Sequence, residues 1–470
     1  MVDESIIPGR AIPQQRLERN PLITADGYRL LRKILDNPNA PKWNYEVGDR
    51  VTVDDLPFIR DYRRLLFGER PVFSVSPPAS IIEWVAKMRA KSRAFRDRLP
   101  EGIDIAREWA GISPMTREDV ALRPQDILPV DADISRLIVY DTSGSTGHAM
   151  VVPQHPRSMG CHLAMMEFVL SRYGVFPKFG ADSVACVDIG ARVKTVVFAN
   201  VFSVWNQAGF VKINLSPREW TSIENARRFI SEMAPAFFTG DPVGYARMIK
   251  WGIEAKPLAM VSCAMKLGTA LKDELEKRYR CPVIDTYSTT ETGPLAYSAP
   301  DGFGMSVLPN DVYVEALDES GFPVAQGEMG ELTITGGRNP YLPLLRYRTG
   351  DYGRIVPPPM GSADTAPRIV DFEGRGVVSF RAMDGTVVGQ ADVGLALRKH
   401  VFAQSQFVQL ADGSLEIAIR PIPGVPTDTD GIEESVLSLF GDGQKIKVVE
   451  DDSLEGKKIA PFRCELDETR

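Results

Sequence analysis

Residues 137–147 read LIVYDTSGSTG, an apolar run followed at once by small hydroxyl residues and glycines. The apolar part predicts a β-strand from Arg136 to Tyr140. After it, Thr142, Ser143, Ser145 and Thr146 alternate with two glycines, so backbone amides and Oγ atoms can approach an anion closely. Runs of Ser, Thr and Gly are more often ordinary turns, and the rest of the chain must show whether this one binds phosphate.

The chain after Arg136 alternates short apolar runs with segments of helical spacing. Strands are predicted at Leu137–Tyr140, Thr195–Phe198, Val211–Ile213, Phe237–Phe238, Met260–Val261 and Val283–Ile284. Helices are predicted at Ser222–Met233, Asp241–Trp251 and Leu267–Tyr279. Asp241 can accept an unpaired amide of the first turn, and Pro242 has no amide to leave unpaired. This alternation predicts an α/β layered fold.

The flanking regions differ from this middle part. Residues 1 to about 135 predict a helical cap, with apolar residues at helical spacing over Ser80–Arg98. After Asn310, Val312–Leu317 and Glu331–Thr335 predict a β-rich subdomain. A proline-rich loop then precedes Arg375, where we predict the boundary between residues 1–375 and a small α+β C-terminal domain, residues 376–470.

Composition limits the classes of protein that the chain can be. With 470 residues, 44% of them hydrophobic, it predicts at least two domains with large cores. Its net charge of -7 is spread along the chain, which argues against nucleic acid as a partner. Val196–Trp205, the most apolar stretch, is too short to span a bilayer, and the N-terminus lacks a signal pattern, so a soluble, cytoplasmic protein is expected. The five cysteines are far apart, which favours reduced thiols.

Four further motifs follow the loop in order. They are Tyr287-Ser288-Thr289-Thr290-Glu291, Arg346-Tyr347-Arg348-Thr349-Gly350-Asp351, Gly374-Arg375 and Gly456-Lys457. Together with the loop, this series resembles the adenylate-forming superfamily of acyl-CoA synthetases, peptide-synthetase adenylation domains and luciferases. Residues 112–120, ISPMTREDV, are most similar to the phenylacetate-CoA ligase branch. The resemblance implies a large layered adenylating domain and a small mobile C-terminal domain that carries a catalytic lysine.

The resemblance also implies site residues. Tyr287 would stack on adenine, Thr290 would contact the α-phosphate, Glu291 would hold Mg²⁺, and Asp351 would accept both ribose hydroxyls. Lys457 would be the catalytic lysine, with Lys458 as its rival. Bulky residues in the acyl pocket, which would suit an aromatic or apolar acid, would be Phe198, Phe202 and Trp205. The full set of implied ATP and AMP contacts is Thr142, Ser143, Gly144, Ser145, Thr146, Gly147, Tyr287, Thr290, Asp351 and Arg375.

Elementary electrostatics agrees with these roles. A carboxylate that attacks an anionic triphosphate meets a repulsion of roughly 4 kcal/mol per pair of unit charges at 4 Å and an effective dielectric of 20. Magnesium held by one carboxylate and by phosphate oxygens offsets part of that repulsion. The chain departs from the usual pattern in three places. His148 follows the loop instead of Pro-Lys, and residues 262–265 read SCAM where the family has a glycine-containing segment. In the hinge, Gly376 follows Arg375 where the family commonly has an Asp or Lys.

The expected reaction joins ATP and a carboxylic acid to give an acyl-AMP and pyrophosphate. The acyl group would then pass to CoA, with ATP, Mg²⁺ and CoA as the implied cofactors and co-substrates. An amine such as an amino acid, or a carrier protein, is the alternative acceptor. A nucleotide-binding protein that has lost catalytic power is the alternative from another class, and a homodimer is an assembly left open.

Overall fold

The computed structural model describes residues 12–68, 73–141, 150–192, 194–265, 267–308, 311–373, 378–397, 399–400, 402, 404–421, 426–454 and 462–466. The helices are α1 Gln14–Arg19, α2 Ala25–Leu35, α3 Leu56–Gly68, α4 Ala79–Lys91, α5 Arg93–Arg98, α6 Arg117–Leu122, α7 Pro124–Ile127, α8 Pro156–Arg172, α9 Ile223–Met233, α10 Pro242–Lys250, α11 Thr269–Tyr279, α12 Gln390–Leu397 and α13 Thr429–Phe440. Short 3₁₀ turns lie at Trp109–Gly111, Ile134–Arg136, Ser203–Trp205, Pro217–Glu219 and Asp452–Leu454.

The strands form one large sheet and three small ones. They are β1 Ile138–Asp141, β2 Val151–Gln154, β3 Val184–Gly190, β4 Phe198–Phe202, β5 Ala208–Asn214, β6 Phe237–Gly240, β7 Ala259–Ser262, β8 Val283–Thr289, β9 Gly293–Ser298, β10 Met305–Val307, β11 Val312–Leu317, β12 Met329–Gly336, β13 Leu344–Val356, β14 Arg368–Glu373, β15 Ser379–Arg381, β16 Val387–Gly389, β17 Gln404–Gln409, β18 Leu415–Arg420, β19 Ile446–Glu450 and β20 Phe462–Cys464.

Twelve strands make the large sheet, in the order β11-β12-β13-β14-β10-β9-β8-β7-β6-β3-β5-β4. Strands β5, β3, β6, β7 and β8 run parallel, and β4 pairs antiparallel with β5 at the edge. From β8 onward the pairing is antiparallel, beginning with β9. The sheet therefore changes from a parallel α/β half to an antiparallel half at β8.

Buried side chains cover both faces of the parallel half. One face packs with α9, α10 and α11 through residues such as Phe229, Tyr245 and Leu275. The other packs with α3 and α8 through Ile59 and Met165. Strands buried on both faces read as continuous apolar runs, which explains why the sequence pattern found them. The α/β fold class that the sequence predicts is confirmed.

Most predicted elements are present, with boundary corrections. The cap at Asp241 is confirmed, because its side chain accepts the Gly244 amide at 2.6 Å. The helix predicted over Ser80–Arg98 is two helices, α4 and α5, with extended backbone at Ser92 between them.

The predicted strand Thr195–Phe198 is wrong for its first three residues, because β4 begins only at Phe198. The amide of Val197 donates to Asn44 Oδ1 at 2.7 Å, and its carbonyl accepts from the amides of Asn44 and Tyr45. These bonds take the place of a strand ladder.

The segment after β14 has its own small core. Four phenylalanines, Phe380, Phe407, Phe440 and Phe462, pack together between the β19-β18-β17-β20 sheet and α13. The predicted boundary at Arg375 lies in residues 374–377, outside the described residues, so the division into two domains stays a prediction. Among the described helices, none is long and apolar enough to cross a membrane.

Candidate functional site

The turn between β8 and β9 carries the predicted phosphate and metal residues. Strand β8 ends at Thr289, and Thr290 and Glu291 form the turn before β9 begins at Gly293. Thr290 is exposed, and its carbonyl accepts from Gln154 Nε2 at 3.0 Å. Glu291 is only 3% exposed. The turn thus presents a hydroxyl to solvent and holds a carboxylate just below it.

Glu291 is held by two groups from distant parts of the chain. The hydroxyl of Tyr347, on β13, donates to Glu291 Oε1 at 2.6 Å. Arg117 Nη1, at the start of α6, lies 3.5 Å from the same oxygen. The second contact is at the long limit of a hydrogen bond, so the arginine balances the carboxylate charge only loosely.

Asp351 is the second carboxylate of the site. Tyr287, on β8, donates its hydroxyl to Asp351 Oδ2 at 3.0 Å, and both residues are buried. The ring of Tyr287 also contacts Phe372, with 4.6 Å between ring centroids. The residues predicted to bind adenine and ribose are therefore direct neighbours, while adenine stacking by Tyr287 stays a prediction.

The Arg-Tyr-Arg-Thr-Gly-Asp motif, residues 346–351, lies within β13 and divides its side chains between structure and site. Arg346 is fully buried and pairs with Glu315, Nε to Oε1 at 3.0 Å. Thr349 donates to the Leu332 carbonyl at 2.7 Å and accepts the Asp351 amide at 3.1 Å. Gly350 has φ +82°, a conformation that favours glycine and turns the chain so that Asp351 faces Tyr287.

The back of the β8–β9 turn is rigidly supported. Arg338 pairs with Asp311 through two contacts of 2.7 Å and donates to the Thr292 carbonyl at 3.2 Å. At Gly293, φ +73°, a Cβ would lie 2.3 Å from His162 Nε2, so no other residue fits without rearrangement. Burial lowers the pKa of His162 to about 4, which keeps this imidazole neutral at neutral pH.

A second polar cluster lies at the carboxyl ends of β3, β5 and β6. Lys212 is in register with Asp188, and Asp188 is in register with Thr239. Lys212 Nζ lies 2.5 Å from Asp188 Oδ2, and Thr239 Oγ1 donates to Asp188 Oδ1 at 3.3 Å. The neighbouring carboxylate of Asp188 raises the pKa of Lys212. We call Asp188, Lys212 and Thr239 the strand-end cluster.

The three residues predicted to line the acyl pocket lie in one row of aromatic contacts, in which Phe198 and Phe202 both contact Phe210 and Trp205 contacts Phe202. Phe198 is in register with Lys212, at the carboxyl end of β5. Phe202 is in register with Ala208 at the opposite end of β5, and Trp205 follows it. Both are buried in the core, where Trp205 stacks on Phe179 and donates to Glu167 Oε1 at 3.1 Å. Phe202 and Trp205 are thus buried and Phe198 lies nearest to the strand-end cluster, while the acyl-pocket role of all three stays a prediction.

Several predicted residues lie outside the described residues. They are Thr142, Ser143, Gly144, Ser145, Thr146, Gly147, His148, Arg375, Lys457 and Lys458. Strands β1 and β2, which flank the loop, are an antiparallel pair in which Asp141 is in register with Val151. The loop thus joins two ladder partners, and its phosphate contacts stay a prediction.

The sequence patterns missed Arg117, Arg338, Asp188 and Lys212. Arg117 belongs to the ISPMTREDV segment that carried the resemblance, and Thr116 and Asp119 form a capping box that fixes its helix start. That segment was a usable signal for Arg117. Asp188 and Lys212 are single polar residues in apolar runs, a pattern that could have marked them.

The α/β fold and the two tyrosine-held carboxylates, Glu291 and Asp351, are features that a nucleotide-binding enzyme needs. The profile of the AMP-binding enzyme family matches residues 89–339, more than half of the chain. The chain therefore belongs to the AMP-binding enzyme family, and the predicted superfamily and enzyme class are confirmed.

Curated relatives match only parts of the chain. Protein CapK of Staphylococcus aureus is 22% identical over 306 residues, 63% of this chain and 65% of that protein. The acetyl-coenzyme A synthetase of Thiobacillus denitrificans is 31% identical over 249 residues, 48% of this chain and 36% of that protein. The phenylacetate-coenzyme A ligase of Escherichia coli is 30% identical over 125 residues, 24% of this chain and 28% of that protein. The chain spans less than two thirds of the length of these relatives, and the similarity to the phenylacetate-CoA ligase branch is partial.

Among solved structures, a 2-hydroxyisobutyryl-CoA ligase in complex with 2-HIB-AMP and CoA, in the thioesterification state, has a TM-score of 0.55. It is 15% identical, and the match covers 91% of this chain and 97% of that chain. At this identity the similarity concerns the fold alone.

Proposed function

We propose that the protein activates a carboxylic acid with ATP as an acyl-AMP and passes the acyl group to CoA. One observation carries the proposal: Glu291 and Asp351, far apart in sequence, are each held by a tyrosine hydroxyl beside the turn that presents Thr290. This arrangement suits a nucleotide whose phosphates meet the turn and whose ribose meets Asp351. The acid's carboxylate oxygen would attack the α-phosphorus, the bond to the bridging oxygen would break, and pyrophosphate would leave.

The residues present fit a magnesium ion that enters with ATP. Among the described residues no group of three or more His, Cys, Asp or Glu side chains could hold a metal, but nucleotide-bound Mg²⁺ needs only one or two protein carboxylates. Tyr347 and Arg117 both contact Oε1 of Glu291, so Oε2 is the oxygen that the ion would take. Bound Mg²⁺ would supply charge neutralisation for the triphosphate.

The chain's own groups have distinct tasks in this proposal. Asp351, held by Tyr287, is a double acceptor that suits the two ribose hydroxyls. Thr290 would donate to an α-phosphate oxygen. The loop Thr142–Gly147 would enclose the outer phosphates, and Lys457 would place an ammonium near the carboxylate and the α-phosphate as charge develops there. Arg117 adds a cation near Glu291 in a site whose phosphate loop lacks the usual lysine.

CoA is proposed as the acyl acceptor because two of the partial relatives are an acetyl-coenzyme A synthetase and a phenylacetate-coenzyme A ligase, and because the 2-hydroxyisobutyryl-CoA ligase that shares the fold was solved with CoA. In the second step the thiol sulfur of CoA would attack the acyl carbon. A thioester forms, and AMP leaves with the former carboxylate oxygen.

The test combines two measurements on the full chain. Pyrophosphate release is followed with ATP, Mg²⁺ and a panel of carboxylic acids, and the same panel is then run with CoA or with amino acids. Acid-dependent pyrophosphate release with CoA thioester as product is the expected result. Amide products would show that the acceptor is an amine and not CoA. ATP binding without pyrophosphate release for any acid would contradict the proposed chemistry.

A further inference from the structure

The strand-end cluster has features of a binding site. Asp188 and Lys212 lie near the carboxyl ends of two buried strands, yet their side chains are 19% and 31% exposed. The pairs Lys272–Glu276, on α11, and Lys447–Glu416, between β19 and β18, are more exposed, at 38% and 39% and at 70% and 42%. The Asp188–Lys212 pair is thus partly enclosed and still reached by solvent.

The location of the cluster connects it to the adenylation site. Strands β3, β6, β7 and β8 are neighbours in the sheet, so Asp188 and the strand that leads to Thr290 share one carboxyl edge. Three strand spacings separate β3 from β8, about 14 Å. An acid whose carboxylate lies at Thr290 and whose tail follows this edge would bring its far end toward the cluster.

The same edge also meets the C-terminal part of the chain. Burial raises the pKa of Asp392, on α12. The positive charge of Arg192, just after β3, lowers this pKa, and the negative charge of Asp241, just after β6, raises it. Arg192 in turn pairs with Asp241 at 3.4 Å. Asp392 is therefore within electrostatic reach of the ends of β3 and β6, which places α12 near this edge of the sheet.

The chemistry of the cluster determines which chemical group at the far end of the acid it can bind. A hydrocarbon end placed on an ion pair would remove water from both charges without replacing their hydrogen bonds, which is unfavourable. A carboxylate at the far end of the acid would be attracted by Lys212 and repelled by Asp188. An ammonium group there would be attracted by Asp188 and repelled by Lys212. A hydroxyl can accept from Lys212 Nζ and donate to Asp188, so it satisfies both partners at once.

We propose that Asp188 and Lys212 are specificity-determining residues, and that the acid activated by this enzyme carries a hydroxyl group at the end remote from its carboxylate. This inference rests on the proposed function, since it names the substrate class of that site. Thr239 is a positioning residue, because its hydroxyl holds Asp188 Oδ1 in place.

The test measures discrimination between matched acids. The kcat/KM for pyrophosphate release is compared for 8-hydroxyoctanoate, octanoate, suberate and 8-aminooctanoate, and for 4-hydroxycinnamate against cinnamate. In the wild type each hydroxy acid should exceed its unsubstituted partner by about 10-fold or more, the value of one hydrogen bond to a charged group. Lys212→Met should reduce that ratio toward 1, and so should Asp188→Asn.

A matched control and a binding measurement separate the outcomes. Lys272→Met, in the exposed pair on α11, should leave the ratio unchanged. A merely structural role for Lys212 would lower activity with both acids of a pair equally, and that result would overturn the inference. Calorimetric titration of the same acids needs no catalysis. Binding of the hydroxy acid that depends on Lys212, without pyrophosphate release, would support the cluster and contradict the proposed function, whereas equal binding of both acids would refute the cluster's role.

Discussion

Two buried glutamates contact consecutive residues of β13 and are held in different ways. Glu315 is 6% exposed and contacts Arg346 Nε at 3.0 Å, Arg346 Nη2 at 3.4 Å and Trp109 Nε1 at 3.2 Å. Glu291 is 3% exposed and receives the Tyr347 hydroxyl and the distant Arg117. Arg346 and Tyr347 are consecutive residues of β13, at a β-bulge where Arg346 has φ +46°. Glu315 therefore has a counter-charge at hydrogen-bonding distance, whereas the arginine beside Glu291 lies at the long limit of a hydrogen bond.

This difference separates a structural carboxylate from a functional one. A buried ion pair with several hydrogen bonds has no charge left for a ligand, and it fixes the relative positions of the strands and helices that carry it. A buried carboxylate whose charge is balanced only loosely can still bind a cation, and keeping it in that state reduces stability. Glu315 is the first kind, and we interpret Glu291 as the second.

The largest effect concerns Lys457, the predicted catalytic lysine. We expect Lys457→Ala to lower adenylation by several orders of magnitude with ATP still bound, because the lost charge acts on the transition state. Lys458→Ala is the matched control and should lose little. The readouts are pyrophosphate release and nucleotide affinity, and an inactive Lys458 variant beside an active Lys457 variant would reverse the assignment.

The next effect is on stability at the structural glutamate. Glu315→Gln leaves the guanidinium of Arg346, fully buried, without its counter-charge, so the free energy of unfolding should fall by about 3–5 kcal/mol. Urea denaturation measures it. The control is Glu224→Gln, which breaks the exposed pair with Arg228 on α9 and should cost less than about 1 kcal/mol. If both variants lost the same free energy of unfolding, Glu315 would not be a structural carboxylate in the sense proposed.

The same substitution at Glu291 should give the opposite pattern. Glu291→Gln keeps an oxygen for the Tyr347 hydroxyl and removes a loosely paired buried charge, so the free energy of unfolding should change by no more than about 1 kcal/mol. The Mg²⁺ concentration for half-maximal activity should rise about 10-fold or more. Titration of activity with Mg²⁺ measures it, and an unchanged requirement would end the metal assignment.

The sequence patterns predicted one side of this comparison better than the other. The apolar run Val283–Ile284 and the Thr-Glu after it predicted β8 and the turn, because a buried parallel strand leaves a continuous apolar run. The pairing of Glu291 with Tyr347, 56 positions away, left no local signal, since it depends on β-bulges between β12 and β13. The positions of Phe202 and Trp205 also depend on strand register. The antiparallel pairing of β4 with β5 puts Phe202 opposite Ala208, at the end of β5 away from Lys212.

The smallest effect tests the tyrosine that distinguishes the two glutamates. Tyr347 is fully buried, and its hydroxyl lies 2.6 Å from Glu291 Oε1, so it orients the carboxylate and shares part of its charge. In Tyr347→Phe the ring stays packed and one hydrogen bond is lost, which should lower the free energy of unfolding by about 1 kcal/mol. The Mg²⁺ requirement should rise about threefold, in the same direction as for Glu291→Gln but less, because the carboxylate itself remains. Tyr287→Phe is the matched control: it removes the equivalent bond to Asp351, 3.0 Å long, and should raise the KM for ATP without changing the Mg²⁺ requirement. If Tyr347→Phe raised the requirement more than Glu291→Gln did, the tyrosine would act on the ligand directly and not through Glu291.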